Sequence, residues 1–327
     1  MSEIRATLAT AAQDGRFKPG ESGGAGRYAP SPTGELHLGN LRTAVLAWLF
    51  ARSTGRRFLL RIEDLDRSRV RPGMVEQQLS DLADLGVTFD GEPMVQSQRL
   101  AAYQDALVKL ADRTYECFCS RREIAESASA PHGVLARYPG TCRSLTDAER
   151  RSRRVTRQPA LRLRAGVARQ TVYDVLHGEV TAEVGDVVLV RNDGAPAYNL
   201  AVVVDDAFSG IDQVVRGEDL LPAAVTQAYI AGLLEYDLPI YAHVPLAVNV
   251  EGQRLAKRDG AVTLPELAAQ GWEPGGVLGL IAESLDLASP GETVALDALL
   301  ERFDPGRLPR SPWVVIAEKF TRAKGPR

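Results

Sequence analysis

The chain has 327 residues, 45% hydrophobic and 25% charged, the profile of a soluble globular protein able to bury a sizeable core in one large domain or two modest ones. Its formal net charge of -3 excludes a protein that grips nucleic acid through bulk basicity, so any RNA contact has to be local. Three cysteines are too few for a disulfide scaffold, no apolar run is long enough to cross a bilayer, and the start lacks the charged-then-apolar order of a signal peptide, so the expected compartment is cytoplasmic.

Residues 1–25 are rich in Ala, Gly and small polar side chains without a sustained apolar period, and are expected to form a flexible extension. Gly26 to Gly34 reads as an extended segment entering a turn, because Pro30 and Pro32 bias the residues before them towards extended geometry. Leu41, Val45, Leu46, Leu49 and Phe50 recur at helical spacing, which predicts an amphipathic helix over residues 39–53. The run Phe58-Leu59-Leu60-Arg61-Ile62 predicts a strand buried on both faces. Strand, helix and strand in this order imply a right-handed parallel crossover and an α/β fold.

Further helices are expected over 72–86, with Pro72 at the start and Gly86 just past the end, and over 100–113. From Tyr115 the rhythm breaks, and 150–195 reads as mixed strands and turns. Strand-like runs return at 200–204 and 213–216, followed by a helix over 220–234. One parallel sheet split by an inserted subdomain accounts for this better than two independent domains. The expected division is therefore a catalytic domain of 26–114 and 196–250, an insertion of 115–195, and a loop with a short helical tail over 251–327. Thr263-Leu264-Pro265-Glu266 has capping-box spacing and opens that tail.

Four groups of residues carry chemistry. His37-Leu38-Gly39-Asn40 lies where an extended segment enters a helix, a place where backbone N–H groups and the helix dipole favour phosphate. Gly39 lets a nucleotide lie close to the backbone, and His37 can hydrogen-bond phosphate without a permanent charge. Taken alone, such a tetrapeptide is more simply a solvated turn. Arg254-Leu255-Ala256-Lys257-Arg258 is a basic loop that could stabilise charge passing through a phosphate, though alone it too reads as solvated surface. Arg27 offers the planar fork that a carboxylate demands, and Glu63 the opposite charge for an ammonium. Cys117, Cys119 and Cys142 are soft ligands suited to tetrahedral zinc, with His132 the commoner type of fourth ligand.

The run from Arg27 to Ala44 closely resembles the first motif of the glutamyl-tRNA synthetases and their shortened relatives, where it is written HIGH on a Rossmann-like class I catalytic domain. Asn40 stands in place of the final His and keeps an amide donor. Arg254 to Arg258, followed by Asp259-Gly260, resembles the KMSKS loop, with Lys257 matching the catalytic lysine while Arg254 and Ala256 depart from the family's Lys and Ser. The resemblance implies His37 and Lys257 as catalytic residues and His37, Gly39, Asn40, Arg254 and Lys257 as ATP ligands. It places glutamate contacts at Arg27, Tyr28, Ala29, Pro30 and Ser31, at Glu63, and at Tyr198 and Arg216. The shortened relatives follow CxC with YxxxC and use the tyrosine oxygen on one structural Zn2+, which implies Cys117, Cys119, Tyr138 and Cys142 as the metal set in an inserted zinc-binding, acceptor-type subdomain.

Residues 259–327 alone follow the second motif, too few for the helical anticodon-binding domain of a full-length glutamyl-tRNA synthetase. A truncated enzyme of this kind resembles the glutamyl-queuosine tRNA(Asp) synthetase family. That resemblance implies activation of L-glutamate with ATP and Mg2+ without tRNA, then transfer to the queuosine base in the anticodon of tRNA(Asp). A monomer with no membrane association is expected. The alternative is a short glutamyl-tRNA synthetase that charges a tRNA 3′ end.

Overall fold

A computed structural model describes residues 23–120, 122–124, 138–166, 169–255 and 262–316. β1 (Ala25–Tyr28), α1 (Leu38–Arg52) and β2 (Arg57–Ile62) form the expected crossover, with β1 and β2 parallel from Ala25↔Arg57 to Tyr28↔Leu60. The chain continues through α2 (Met74–Asp84), β3 (Met94–Val95), α3 (Leu100–Lys109) and β4 (Thr114–Cys117). After α4 (Asp147–Arg154) come β5 (Ala160–Leu163), the hairpin of β6 (Arg169–Asp174) and β7 (Gly178–Glu183), and β8 (Val188–Val190). α5 (Tyr198–Phe208), β9 (Ile211–Gly217), α6 (Leu221–Leu233), β10 (Ile240–Val244) and β11 (Ala247–Val248) follow. The last described elements are α7 (Leu264–Ala269), α8 (Pro274–Glu283), α9 (Leu296–Arg302) and β12 (Trp313–Val314).

Among the described residues the main sheet has the order β3-β2-β1-β9-β10-β6-β7, parallel throughout except for the β6–β7 hairpin. From β1 the chain first builds outward through β2 and β3, and later returns to build the other side through β9 and β10. The connections therefore diverge between β1 and β9, and a crevice opens there at the carboxyl ends of the strands. This is the α/β, mostly parallel sheet that the motifs implied. No helix among the described residues is long and apolar enough to cross a membrane.

Several expectations from the sequence are corrected. The apolar run at 200–204 is the heart of α5, not a strand. Leu200, Ala201, Val203 and Val204 are buried with Tyr103 and Ala106 of α3 and with Ile230 and Ala231 of α6. A continuous apolar run fits a helix enclosed on several sides as well as it fits a buried strand. Likewise α1 is buried nearly all round and is not amphipathic, because the sheet covers one side and the C-terminal helices the other. Phe50 packs edge-on against Phe303 at 5.1 Å. Even Arg42 is buried, donating to Pro245 O at 2.6 Å and to Ser284 Oγ at 3.1 Å, and burial lowers its pKa to about 10.

The span 115–195 does not stay apart from the large sheet. β4, β5 and β8 form a separate antiparallel sheet, but β6 pairs with β10 at Tyr241↔Asp174 and so extends the catalytic sheet. The hairpin covers an edge of β10 whose N–H and C=O groups would otherwise lie unpaired. α2 begins at Met74, two residues beyond Pro72, because Gly73 at φ 77 turns the chain into it. β1 opens at Ala25, so the described chain is ordered just before the expected limit of the N-terminal extension, and residues 1–22 lie outside the described residues.

Candidate active site

All of the expected nucleotide and glutamate residues that fall within the described chain line one cavity of about 940 Å³ at the carboxyl ends of β1, β2 and β9. Arg27, Tyr28, Ala29, Pro30 and Ser31 enter it from the end of β1, and Glu63 from just beyond β2. Arg216 comes from β9 and Tyr198 from the first turn of α5. His37, Gly39, Asn40 and Arg254 complete the lining. Lys257 lies outside the described residues, as does His132.

His37 is the N-cap of α1. Its Nδ1 accepts from the N–H of Gly39 at 3.1 Å and of Asn40 at 3.3 Å, and Asn40 Oδ1 accepts from the His37 N–H at 3.3 Å. Leu38 N–H donates to Val262 O at 3.0 Å. The backbone donors expected to cradle phosphate are therefore engaged in this conformation, two of them within the cap and one by Val262. Because Nδ1 accepts, a neutral His37 carries its proton on Nε2, a donor. A Cβ at Gly39 would come within 3.0 Å of the His37 ring and 3.1 Å of Ala247 Cβ, so the cap itself favours glycine there. Arg254 Nη1 donates to Asp219 Oδ2 at 2.6 Å, which ties the start of the second motif to the 3-10 turn after β9.

The residues expected to contact glutamate rest on a network that the sequence reading missed. Asp206 Oδ1 accepts from Arg27 Nε at 3.2 Å and from Arg61 Nη1, and Arg61 Nη2 donates to Glu63 Oε1 at 3.1 Å. Burial raises the Asp206 carboxyl, but Arg27 and Arg61 outweigh it and hold its pKa below the usual value. Glu63 goes the other way: burial raises it from its usual value against the pull of Arg61 and Arg27. Arg216 Nη1 donates to Gln227 Oε1 at 2.9 Å and to Tyr198 Oη at 3.2 Å. Asp206, Gln227, Asp174 and His243 were not singled out from the sequence. The signal that could have found the first was Asp205-Asp206, two acidic residues at the end of an apolar run, since buried carboxylates are uncommon without partners.

The cysteines come together away from this cavity. Cys117, Cys119 and Cys142 have their sulfur atoms within 4.8 Å of one another, and Cys119 Sγ lies 3.6 Å from Cys142 Sγ. Tyr138 Oη lies 3.4 Å from Cys117 Sγ and accepts from the Cys142 N–H at 2.8 Å. In a tetrahedral zinc site with ordinary bond lengths, neighbouring sulfurs are about 3.8 Å apart and a sulfur and an oxygen about 3.5 Å. The Cys119–Cys142 and Cys117–Tyr138 separations are close to these values, and the three cysteines form a cluster that could hold a metal ion. The Phe118 N–H donates to Cys142 Sγ at 3.4 Å, and Arg162 stacks 3.9 Å above the Tyr138 ring, both suited to offset thiolate charge. Burial raises the Cys117 thiol, but hydrogen bonds from Tyr138 and Arg162 bring it below its usual value, whereas burial and Cys142 push Cys119 up to about 12.

Residues 25–320 match the family "tRNA synthetases class I (E and Q), catalytic domain". The chain is 59% identical over 298 residues to a glutamyl-Q tRNA(Asp) synthetase of Nocardia farcinica, covering 90% of this chain and 93% of that protein. It is 49% identical over 295 residues to one of Cutibacterium acnes, covering 86% of this chain and 84% of that protein. Among solved structures, a glutamate tRNA ligase from Elizabethkingia meningosepticum in complex with its amino acid superposes with a TM-score of 0.75 at 27% identity, covering 92% of this chain and 68% of that one. With a catalytic-domain match across nearly its whole length and relatives this similar, the chain belongs to the class I tRNA synthetase (E and Q) family and, within it, to the glutamyl-Q tRNA(Asp) synthetases.

Proposed function

We propose that this protein activates L-glutamate with ATP to glutamyl-adenylate and transfers the glutamyl group to the queuosine base in the anticodon of tRNA(Asp). The observation that carries this reading is the cavity itself. In a chain 59% identical to a glutamyl-Q tRNA(Asp) synthetase, its lining brings Arg27, Arg216, Glu63 and a capped helix start around one space. Glutamate presents two carboxylates and one ammonium, and Arg27, Arg216 and Glu63 complement these groups in charge and number. Arg27 takes the side-chain carboxylate, Glu63 the ammonium, and Tyr198 with Arg216 the remaining contacts along the substrate.

In the first half-reaction an oxygen of the α-carboxylate bonds to the α-phosphorus of ATP, and the bond to pyrophosphate breaks. Mg2+ accompanies the phosphates when ATP is bound. His37, through Nε2–H, donates to phosphate oxygen, and Arg254 and Lys257 stabilise the charge that develops as pyrophosphate leaves. In the second, the queuosine base attacks the activated carbonyl and AMP departs. Cys117, Cys119, Cys142 and Tyr138 would hold one structural Zn2+, away from the cavity where these steps occur. The work is that of a cytoplasmic monomer.

The test is labelling of tRNA with radioactive glutamate and ATP, using tRNA with or without queuosine and with or without periodate oxidation of its 3′ end. Label that survives oxidation and requires queuosine is the expected result. Label lost on oxidation would instead assign 3′-end charging. Absence of glutamate-dependent pyrophosphate exchange would discard both readings.

A further inference from the structure

At the carboxyl end of β10 lies a buried chain of polar groups that the reaction as described does not use. His243 has no exposure; its Nδ1 is 2.6 Å from Asp174 Oδ2, and its Nε2 is 3.0 Å from Arg216 Nε. A guanidinium nitrogen can only donate, so Nε2 is the acceptor and the ring proton sits on Nδ1, directed at Asp174. Asp174 is equally fixed. Its Oδ2 also accepts from the His243 N–H at 3.0 Å, and its Oδ1 accepts from the N–H groups of Leu176 at 2.8 Å and His177 at 3.0 Å. Burial lowers the His243 pKa; Asp174 opposes this and Arg216 adds to it, with the net effect of keeping the ring neutral.

Arg216 is otherwise held by Gln227, Tyr198 and a 3.4 Å contact to Leu220 O. Of these only Tyr198 is substantially exposed, at 39%, and can move as a substrate enters. The imidazole is therefore a rigid, buried acceptor at the Nε of a guanidinium that lines the cavity. A protonated ring, or one carrying its proton on Nε2, would set N–H against N–H and turn the guanidinium out of plane.

We propose that Asp174 and His243 form a positioning pair for Arg216: Asp174 selects the Nδ1-protonated imidazole, and the Nε2 lone pair sets the plane in which Arg216 meets a carboxylate of glutamate. This rests on the reading of the cavity as a glutamate site. It makes β6, from the span between the two halves of the catalytic domain, a supplier of substrate selectivity.

Two substitutions separate positioning from simple structural support. His243→Asn keeps an amide N–H near the Nδ1 position for Asp174 but removes the acceptor for Arg216. His243→Gln carries an amide oxygen near the Nε2 position and restores that acceptor while leaving Asp174 without its ring donor. In glutamate-dependent pyrophosphate exchange, His243→Asn is expected to raise the KM for glutamate about tenfold or more, the loss of one hydrogen bond to a charged group, with the KM for ATP within about twofold of wild type. His243→Gln is expected to recover most of that loss although its thermal stability is the lower of the two. The reverse ranking, with Gln worse than Asn in KM, or an unchanged glutamate KM in His243→Asn, would overturn the proposal. If His243→Asn does not fold, Asp174→Asn serves: its amide can present N–H to Nδ1, which moves the ring proton to Nε2 and raises the glutamate KM, and an unchanged KM counts against the proposal. Nitrogen-15 spectra of the wild-type protein add a check without substitution, since the unprotonated nitrogen of His243 has to be Nε2. A wild-type enzyme without glutamate-dependent exchange would instead reject the glutamate site, while the spectra would still report the tautomer.

Discussion

Replacing Asp206 by Asn removes one negative charge from between two buried guanidinium groups while changing little in shape. Arg27 is 5% exposed, Arg61 3% and Asp206 11%, so solvent screening does little to soften the loss. Breaking a buried ion pair by removing one partner costs roughly 3–5 kcal/mol, because the other charge is left uncompensated. Here Asn keeps an oxygen that accepts one of the two donors, and Glu63 still neutralises part of Arg61, which argues for the low end, about 3 kcal/mol. With an unfolding entropy of about 2 cal/mol/K per residue, that corresponds to a fall in Tm of roughly 5 °C for a chain of this size. The same change frees Arg27 to swing away from its place in the cavity, so the glutamate KM should rise by about tenfold or more while the ATP KM changes little. Thermal unfolding and pyrophosphate exchange on the same preparation measure both. A Tm within about 1 °C of wild type together with an unchanged glutamate KM would refute the view that Asp206 holds the pocket together. In the double variant Arg61→Met/Asp206→Asn the two losses should be less than additive, since each removes the other's unpaired charge.

Other outcomes follow from particular contacts. Lys257→Ala should reduce pyrophosphate exchange by about a hundredfold or more without lowering Tm, and near-wild-type exchange would remove this lysine from the reaction. Protein purified without chelator should hold about one zinc per chain by elemental analysis, and Cys142→Ser should lose it; absence of stoichiometric zinc would leave three reduced structural thiols. The pKa values of Asp174 and Asp206 lie below the ordinary carboxylate value because of His243, and of Arg27 and Arg61. Their contribution to stability is therefore full above the unfolded value of about 3.9 and is lost as pH falls through the lowered folded values. Denaturation midpoints measured down to about pH 3 should fall less steeply in Asp206→Asn than in wild type, and parallel curves would contradict that. Gly279→Ala would put a methyl 2.1 Å from the backbone oxygen of Glu292, so α8 has to shift, and a loss of at least about 2 kcal/mol in urea unfolding is expected.

The parts of this protein that the sequence determined by itself are those in which local chemistry and structure coincide. The run from Arg27 to Ala44 carries a strand end, a turn and a helix cap within a few residues, so the order β1, α1, β2 and the placing of His37 at the helix start could be read without the fold. The grouping of Cys117, Cys119 and Cys142 was legible for a related reason, because their type and spacing suggest soft metal ligands before any geometry is known, whereas Tyr138 came only from the family resemblance. Tertiary structure decided what depends on neighbours distant in sequence. Leu200 to Val204 became a helix because α3 and α6 enclose it, a choice that an apolar run does not encode. The hairpin at 169–183 joined the catalytic sheet because β10 offered it an edge, and it thereby brought Asp174 to His243 across 69 positions of chain. Asp206 reaches Arg27 across 179 positions. A lone buried aspartate or histidine looks like any other in a sequence; only when the strands converge does low dielectric make such a group costly to leave unpaired, and so fix which arginine it holds.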